Sequence, residues 1–123
     1  MCAQAHSSGA LGEQLACEYL EGKGLCVVER NYRMRGGEID IIARDGADTV
    51  FVEVKLRSSS QFGYPEEAVS LSKMKRIAKA IRAYLHQARV HNSYIRFDII
   101  AIIKKSDGTE VRHIQNVELP YTV

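Results

Sequence analysis

A chain of 123 residues is the length of one domain, and 46% hydrophobic with 26% charged residues, 9 Gly and 2 Pro is the composition of an ordinary globular fold. Collagen-like, low-complexity and wholly disordered classes are excluded, and so is a spanning helix: the longest apolar run, Ile99 to Ile103, is five residues against roughly 18 or more. The net charge of +2 hides a separation, because no Asp or Glu occurs between Ala68 and Phe97, a window carrying +7, and the rest therefore sums to −5. Such a block suits a polyanionic partner, or else a solvated basic helix.

MCAQAHSSG at the start has neither a basic flank nor an apolar core, so no signal peptide is expected, and residues 1–7 read as a flexible segment of a single domain spanning 1–123. The three cysteines, an odd number without CxxC spacing, argue against a disulfide framework and a thiolate zinc site and point to a reducing, cytoplasmic setting. A helix is predicted from Ser8 to Glu21, with Leu11, Leu15, Tyr19 and Leu20 at helical spacing and Gly22 and Gly24 as its stop. Leu25 to Tyr32 reads as a strand and Arg33 to Gly37 as a basic loop. Glu38 to Arg44 and Thr49 to Arg57 alternate at period 2 around Asp45-Gly46-Ala47-Asp48, the pattern of a hairpin. A long helix is predicted from Ser72, as N-cap, to Arg89, its apolar stripe Met74, Ile77, Ile81, Leu85 and Ala88. Ile95 to Ile103 is apolar enough for a central strand covered on both faces, and Val111 to Leu119 for a last strand at an edge. The order predicts an α/β or α+β domain with a mixed sheet.

The hairpin carries the chemistry. Strict alternation places Glu38, Asp40 and Ile42 on one face and Ile39, Ile41 and Ala43 on the other; on the second strand Phe51, Glu53 and Lys55 oppose Val50, Val52 and Val54. A turn centred on Gly46-Ala47 sets Asp40 opposite Glu53; one centred on Asp45-Gly46 makes them diagonal neighbours. Opposed like charges destabilise a sheet, so two carboxylates with one lysine on apolar strands point to a divalent cation, Mg²⁺ or Mn²⁺. Carboxylates, such a cation and a lysine are the parts for attack of water on a phosphodiester. Glu-x-Lys alone says little, since 10 Glu and 7 Lys give about 0.6 chance occurrences; its place on an apolar hairpin strand is what sets Glu53-Val54-Lys55 apart from Glu21-Gly22-Lys23.

Residues 9–46, VFVEVKLRSSSQFG (50–63) and RFDIIAI (96–102) resemble the YraN-type family of uncharacterised bacterial proteins, itself similar to archaeal Holliday-junction resolvases with a PD-(D/E)xK core. The resemblance implies a restriction-endonuclease-like mixed β-sheet flanked by helices and a homodimer. It implies Asp40, Glu53 and Lys55 as catalytic residues, with Ile39 where the motif has proline, and Glu13 joining Asp40 and Glu53 around the metal. Those expectations describe a metal-dependent endonuclease acting on DNA, junction DNA included. A non-cleaving nucleic-acid-binding module and a protein-interaction scaffold are the alternatives.

Lys75, Lys79, Arg82, His86 and Arg89 fall on one helical stripe with no acid to pair at i±4, suited to phosphate contacts. Lys73, Arg76, Arg57, Arg30, Arg33 and Arg35 extend the candidate nucleic-acid-binding set. Tyr32 and Tyr64 are read as packing before base stacking, Glu38 as a partner of a nearby arginine, Arg96 and Asp98 as structural, and His86, His91 and His113 as incidental.

Overall fold

The structure, a computed structural model, describes residues 11–58, 69–88 and 94–121. The N-terminal segment, Ser8, Tyr64, Arg89 and His91 lie outside them. Helix α1 (Leu11–Gly22) leads into strands β1 (Cys26–Met34), β2 (Gly37–Asp45) and β3 (Asp48–Ser58), then helix α2 (Leu71–Ala88) and strands β4 (Ile95–Lys105) and β5 (Gly108–Ile114). The sheet runs in chain order, β1 to β5, with β3 and β4 parallel and every other pair antiparallel. It is an α/β domain: a five-stranded mixed sheet flanked by two helices, as a restriction-endonuclease-like core requires.

Each face of the sheet has its own core. Ala16, Cys17 and Leu20 of α1 pack on Val27, Ile41, Ala43, Val50, Val52, Ile100 and Ile102. Ile77, Ala80 and Ile81 of α2 pack on Tyr32, Ile39, Ile42, Phe51, Phe97 and Ile99. β4 therefore contributes to both faces, which is why its sequence is apolar without alternation. The buried stripe of α1 is rotated from the predicted one: Leu11 is exposed, and Gly12, Ala16, Cys17 and Leu20 face inward. Gly12 faces Val54 and Leu56 of β3, where a Cβ would stand at ordinary contact distance, 3.8 Å from each.

Ser70, not Ser72, caps α2: its hydroxyl accepts from Lys73 N–H at 3.1 Å. The helix lies hard on the β1–β2 turn, where a Cβ on Gly37 would stand 2.6 Å from Arg76 O. β5 ends earlier than predicted, because Asn116 takes a left-handed φ of 55°. The chain then leaves the edge, and Val117 N–H bonds Phe97 O at 2.6 Å. Cys17 is a buried free thiol. Among the described residues no helix is long and apolar enough to cross a membrane.

Candidate active site

Two register facts assemble the site. The hairpin turn is centred on Gly46-Ala47, pairing Asp45 with Asp48 and Ile41 with Val52. Of the two predicted registers, this is the one that sets Asp40 level with Glu53. Beyond Ile41–Val52 the ladder stops, although β2 continues to Gly37 and β3 to Ser58. Asp40 fills the gap that opens: its Oδ2 accepts from Val54 N–H at 2.9 Å, replacing a lost ladder bond.

Strict alternation fails at this point. Ile41 and Ala43 belong to the core under α1, whereas Ile39 belongs with Ile42 to the core under α2. On β1 the same inversion separates Arg30, bonded to Gln14 of α1 at 3.0 Å, from Tyr32 in the α2-side core. Between them Asn31 adopts φ 53°, a left-handed conformation that asparagine tolerates better than other side chains bearing a Cβ. The pairs Arg30–Ile41 and Tyr32–Ile39 stay in register, so both strands turn over together at Asn31 and Asp40. The predicted grouping of Ile39 with Ile41 and Ala43 is corrected accordingly.

Glu53 comes down the α2 side of β3 with its side chain 3% exposed. Lys55 Nζ lies 3.5 Å from its Oε2, and Lys73 Nζ 4.0 Å from the same oxygen. Its Oε1 is buried with no hydrogen-bond donor among the described residues. Burial, then the charge of the neighbouring Asp40, pushes Glu53 up to about 7, against the pull of Lys73 and Lys55. Two carboxylates forced together with an unanswered buried oxygen suit a cation that replaces the missing donors. Mg²⁺ and Mn²⁺ fit this donor set, since such ions take one or two carboxylates and fill their remaining positions with water and substrate oxygens.

Asp40, Glu53 and Lys55 are thus brought together. Glu13 is not: Arg30 NH2 faces its Oε1 at 4.0 Å on the α1 side, and among the described residues no three Asp, Glu, His or Cys form a metal-binding group. Arg30 is itself only 8% exposed, turned under α1 rather than toward a nucleic acid. Glu38 pairs with Arg76 through bonds of 3.0 and 2.7 Å and with Lys73 at 2.7 Å. These bonds, Arg76 first, hold its carboxyl down to about 2. Lys75, Lys79, Arg82 and His86 are exposed on α2, Arg33 and Arg35 are exposed at the β1–β2 turn, and Arg57 is half-buried at the end of β3. Lys79 reaches over that turn, since a Cβ on Gly36 would meet its Nζ at 2.6 Å, which joins the helix stripe to the arginines. Tyr32 is packing, as expected: it is buried, with its hydroxyl bonded to Gln87 Oε1 at 3.0 Å.

His113, read as incidental, is a structural partner. Its Nε2 lies 2.7 Å from Asp98 Oδ2, and the ring of Tyr19 meets it edge-on at 5.5 Å. Arg96 bonds Asp98 at 3.0 Å and Asp45 at 3.1 Å, and Asn116 N–H bonds Asp98 at 2.9 Å. The one signal in the sequence is an Asp set among apolar residues from Phe97 to Ile103, which demands buried partners.

A family model described as "Uncharacterised protein family UPF0102" matches residues 12–102, a span holding both helices and β1 to β3 with the whole carboxylate pair. The chain belongs to this family. It is 47% identical over 115 residues to a UPF0102 protein of Syntrophus aciditrophicus, covering 93% of this chain and 91% of the relative. A UPF0102 protein of Geobacter metallireducens is 46% identical over 116 residues, covering 94% and 95% of the two chains. One of Chlorobium limicola is 51% identical over 108 residues, covering 87% and 84%. Membership agrees with the YraN-type resemblance, and UPF0102 as a name carries no activity.

Proposed function

We propose that this UPF0102 protein is a divalent-metal-dependent endonuclease that hydrolyses phosphodiester bonds in DNA, branched or junction DNA included. One observation carries the reading: Asp40 and Glu53, repelling each other in a buried gap of the sheet, with Lys55 on the same carboxylate. Asp40 and Glu53 would hold Mg²⁺ or Mn²⁺, which when bound supplies Lewis acidity toward a phosphoryl oxygen and a more acidic water. Val54 N–H fixes the direction of Asp40. Lys55 holds the attacking water or meets charge developing on the phosphate. In the hydrolysis a water oxygen bonds phosphorus, the bond to the leaving sugar oxygen breaks, and that oxygen takes up a proton. Exposed Lys75, Lys79, Arg82, Arg33 and Arg35, with Arg57, meet backbone phosphates without reading sequence. A DNA substrate places the protein in the cytoplasm, and the resolvase likeness extends the reading to a homodimer.

One observation favours the rival, a non-cleaving nucleic-acid-binding module of the same fold: Glu13 faces Arg30 instead of completing a three-carboxylate set. Labelled four-way-junction, duplex and single-stranded DNA, each incubated with Mg²⁺ or Mn²⁺, decide between them. The nuclease reading expects product that requires metal and disappears in Glu53→Gln. Salt-sensitive binding without product, unaltered in Lys55→Ala, would establish the module instead.

A further inference from the structure

Among the described residues, a cation from outside the hairpin also reaches the carboxylate pair, and it belongs to a helix. Lys73 sits in the first turn of α2, where Ser70 fixes its backbone N–H. From there Nζ reaches 2.7 Å from Glu38 Oε1 on β2 and 4.0 Å from Glu53 Oε2 on β3. A lysine at the start of a surface helix ordinarily extends into water, but this side chain is only 26% exposed. Arg76 takes Oε2 of the Glu38 carboxylate at 3.0 and 2.7 Å and reaches Oε1 at 3.3 Å, so Lys73 commits a single short bond, at 2.7 Å to Oε1. The two oxygens of Glu53 are consequently unlike. Oε2 faces two ammonium groups, Lys55 at 3.5 Å and Lys73 at 4.0 Å, and Oε1 faces no donor among the described residues.

We propose that Lys73 is a substrate-phosphate ligand of this site, a second site lysine supplied by α2 rather than by the hairpin. The proposal rests on the phosphodiester reading above. An ammonium is a compact charge with three donors. The bond to Glu38 uses one and fixes where Nζ stands, leaving the others for a non-bridging oxygen of a phosphate brought beside Glu53. Lys55 and Lys73 reach that place from different elements, one tied to the strand of Glu53 and one to the helix. Lys73 binds and orients; no bond to it forms or breaks.

A charge so placed acts with opposite sign on the site's two ligands. It opposes a divalent cation at Glu53 and favours an anionic phosphate. A residue that merely fastened α2 to β2 would affect both in the same direction. Full-length wild-type protein, Lys73→Met, Lys73→Arg and, as control, Lys75→Met are titrated with Mn²⁺ alone by calorimetry. The same proteins are titrated with a labelled four-way junction in Ca²⁺ by fluorescence anisotropy, and each is melted thermally. Lys73→Met is expected to bind Mn²⁺ roughly threefold tighter and the junction roughly tenfold weaker, with Lys73→Arg restoring junction affinity. Lys75→Met is expected to weaken the junction slightly and leave Mn²⁺ unmoved. If Lys73→Met weakens both ligands along with the melting temperature, or moves neither, Lys73 is a fastening and the proposal falls alone. Should the wild type bind neither Mn²⁺ nor DNA, the phosphodiester reading falls first.

Discussion

Asp98 and Glu53 stand on adjacent parallel strands, one step apart across the ladder that pairs Val52 with Asp98 and Glu53 with Ile99. Asp98 is 0% exposed and Glu53 3%, yet the fold answers them in opposite ways. Asp98, on the α1 face, is surrounded by donors: Arg96, His113 and the Asn116 N–H. Burial works against its charge, but those bonds outweigh it and the carboxyl is held below its ordinary range. On the α2 face Glu53 receives two ammonium groups at a distance and a second carboxylate close by, and is pushed up. A carboxylate kept for stability is given its partners at synthesis. One left short of donors, beside another of its kind, is arranged for something that arrives later.

The largest effect is expected on the satisfied side. Asp98→Ala leaves Arg96 and His113 buried without their shared acceptor, and should cost about 3–5 kcal/mol in denaturant unfolding. Next comes the reverse result across the sheet. Glu53 has a folded pKa of about 7 against an ordinary 4.5. The neutral carboxyl is therefore the better tolerated form, and stability present below pH 4.5 is lost as pH rises through 7. Glu53→Gln should stabilise the metal-free protein by up to about 3 kcal/mol at pH 8 and leave it unchanged at pH 4. Unfolding curves at the two pH values check this, and a destabilised Glu53→Gln at pH 8 would abolish the contrast. The smallest effect concerns what separates the two faces near the site. Asn31→Val, forced to φ 53°, should cost about 1–2 kcal/mol and weaken Mn²⁺ binding by displacing Asp40. Asn31→Gly should leave Mn²⁺ affinity near wild type, as seen by thermal melting and calorimetry on both variants.

Much of the fold was legible because its signals are local. Alternation and an Asp-Gly turn gave the β2–β3 hairpin, and an unalternating apolar run gave β4. The carboxylate pair followed from them, since level positions on two strands are fixed once the turn is centred. What alternation could not show was the inversion at Asn31 and Asp40, where one left-handed residue reverses both strands and pairing stays in register. An Asn among strand formers is its only mark in the sequence. Long-range partners were equally hidden. Asp98 meets His113 across 15 residues and Glu38 meets Lys73 across 35, distances over which no periodic pattern carries information. Arg30 looked like one more basic surface residue because nothing in its neighbourhood says that the chain has turned over beneath α1.

The central claim is that Asp40 and Glu53 are kept together to hold a divalent cation. Calorimetric titration of the metal-free protein with Mn²⁺ or Mg²⁺, repeated on Asp40→Asn and Glu53→Gln, tests it most directly. The account predicts saturable binding by the wild type and its loss in both variants, while Asp40→Asn and Glu53→Gln remain folded by circular dichroism. No binding by the wild type, or binding that survives Asp40→Asn unchanged, would contradict it.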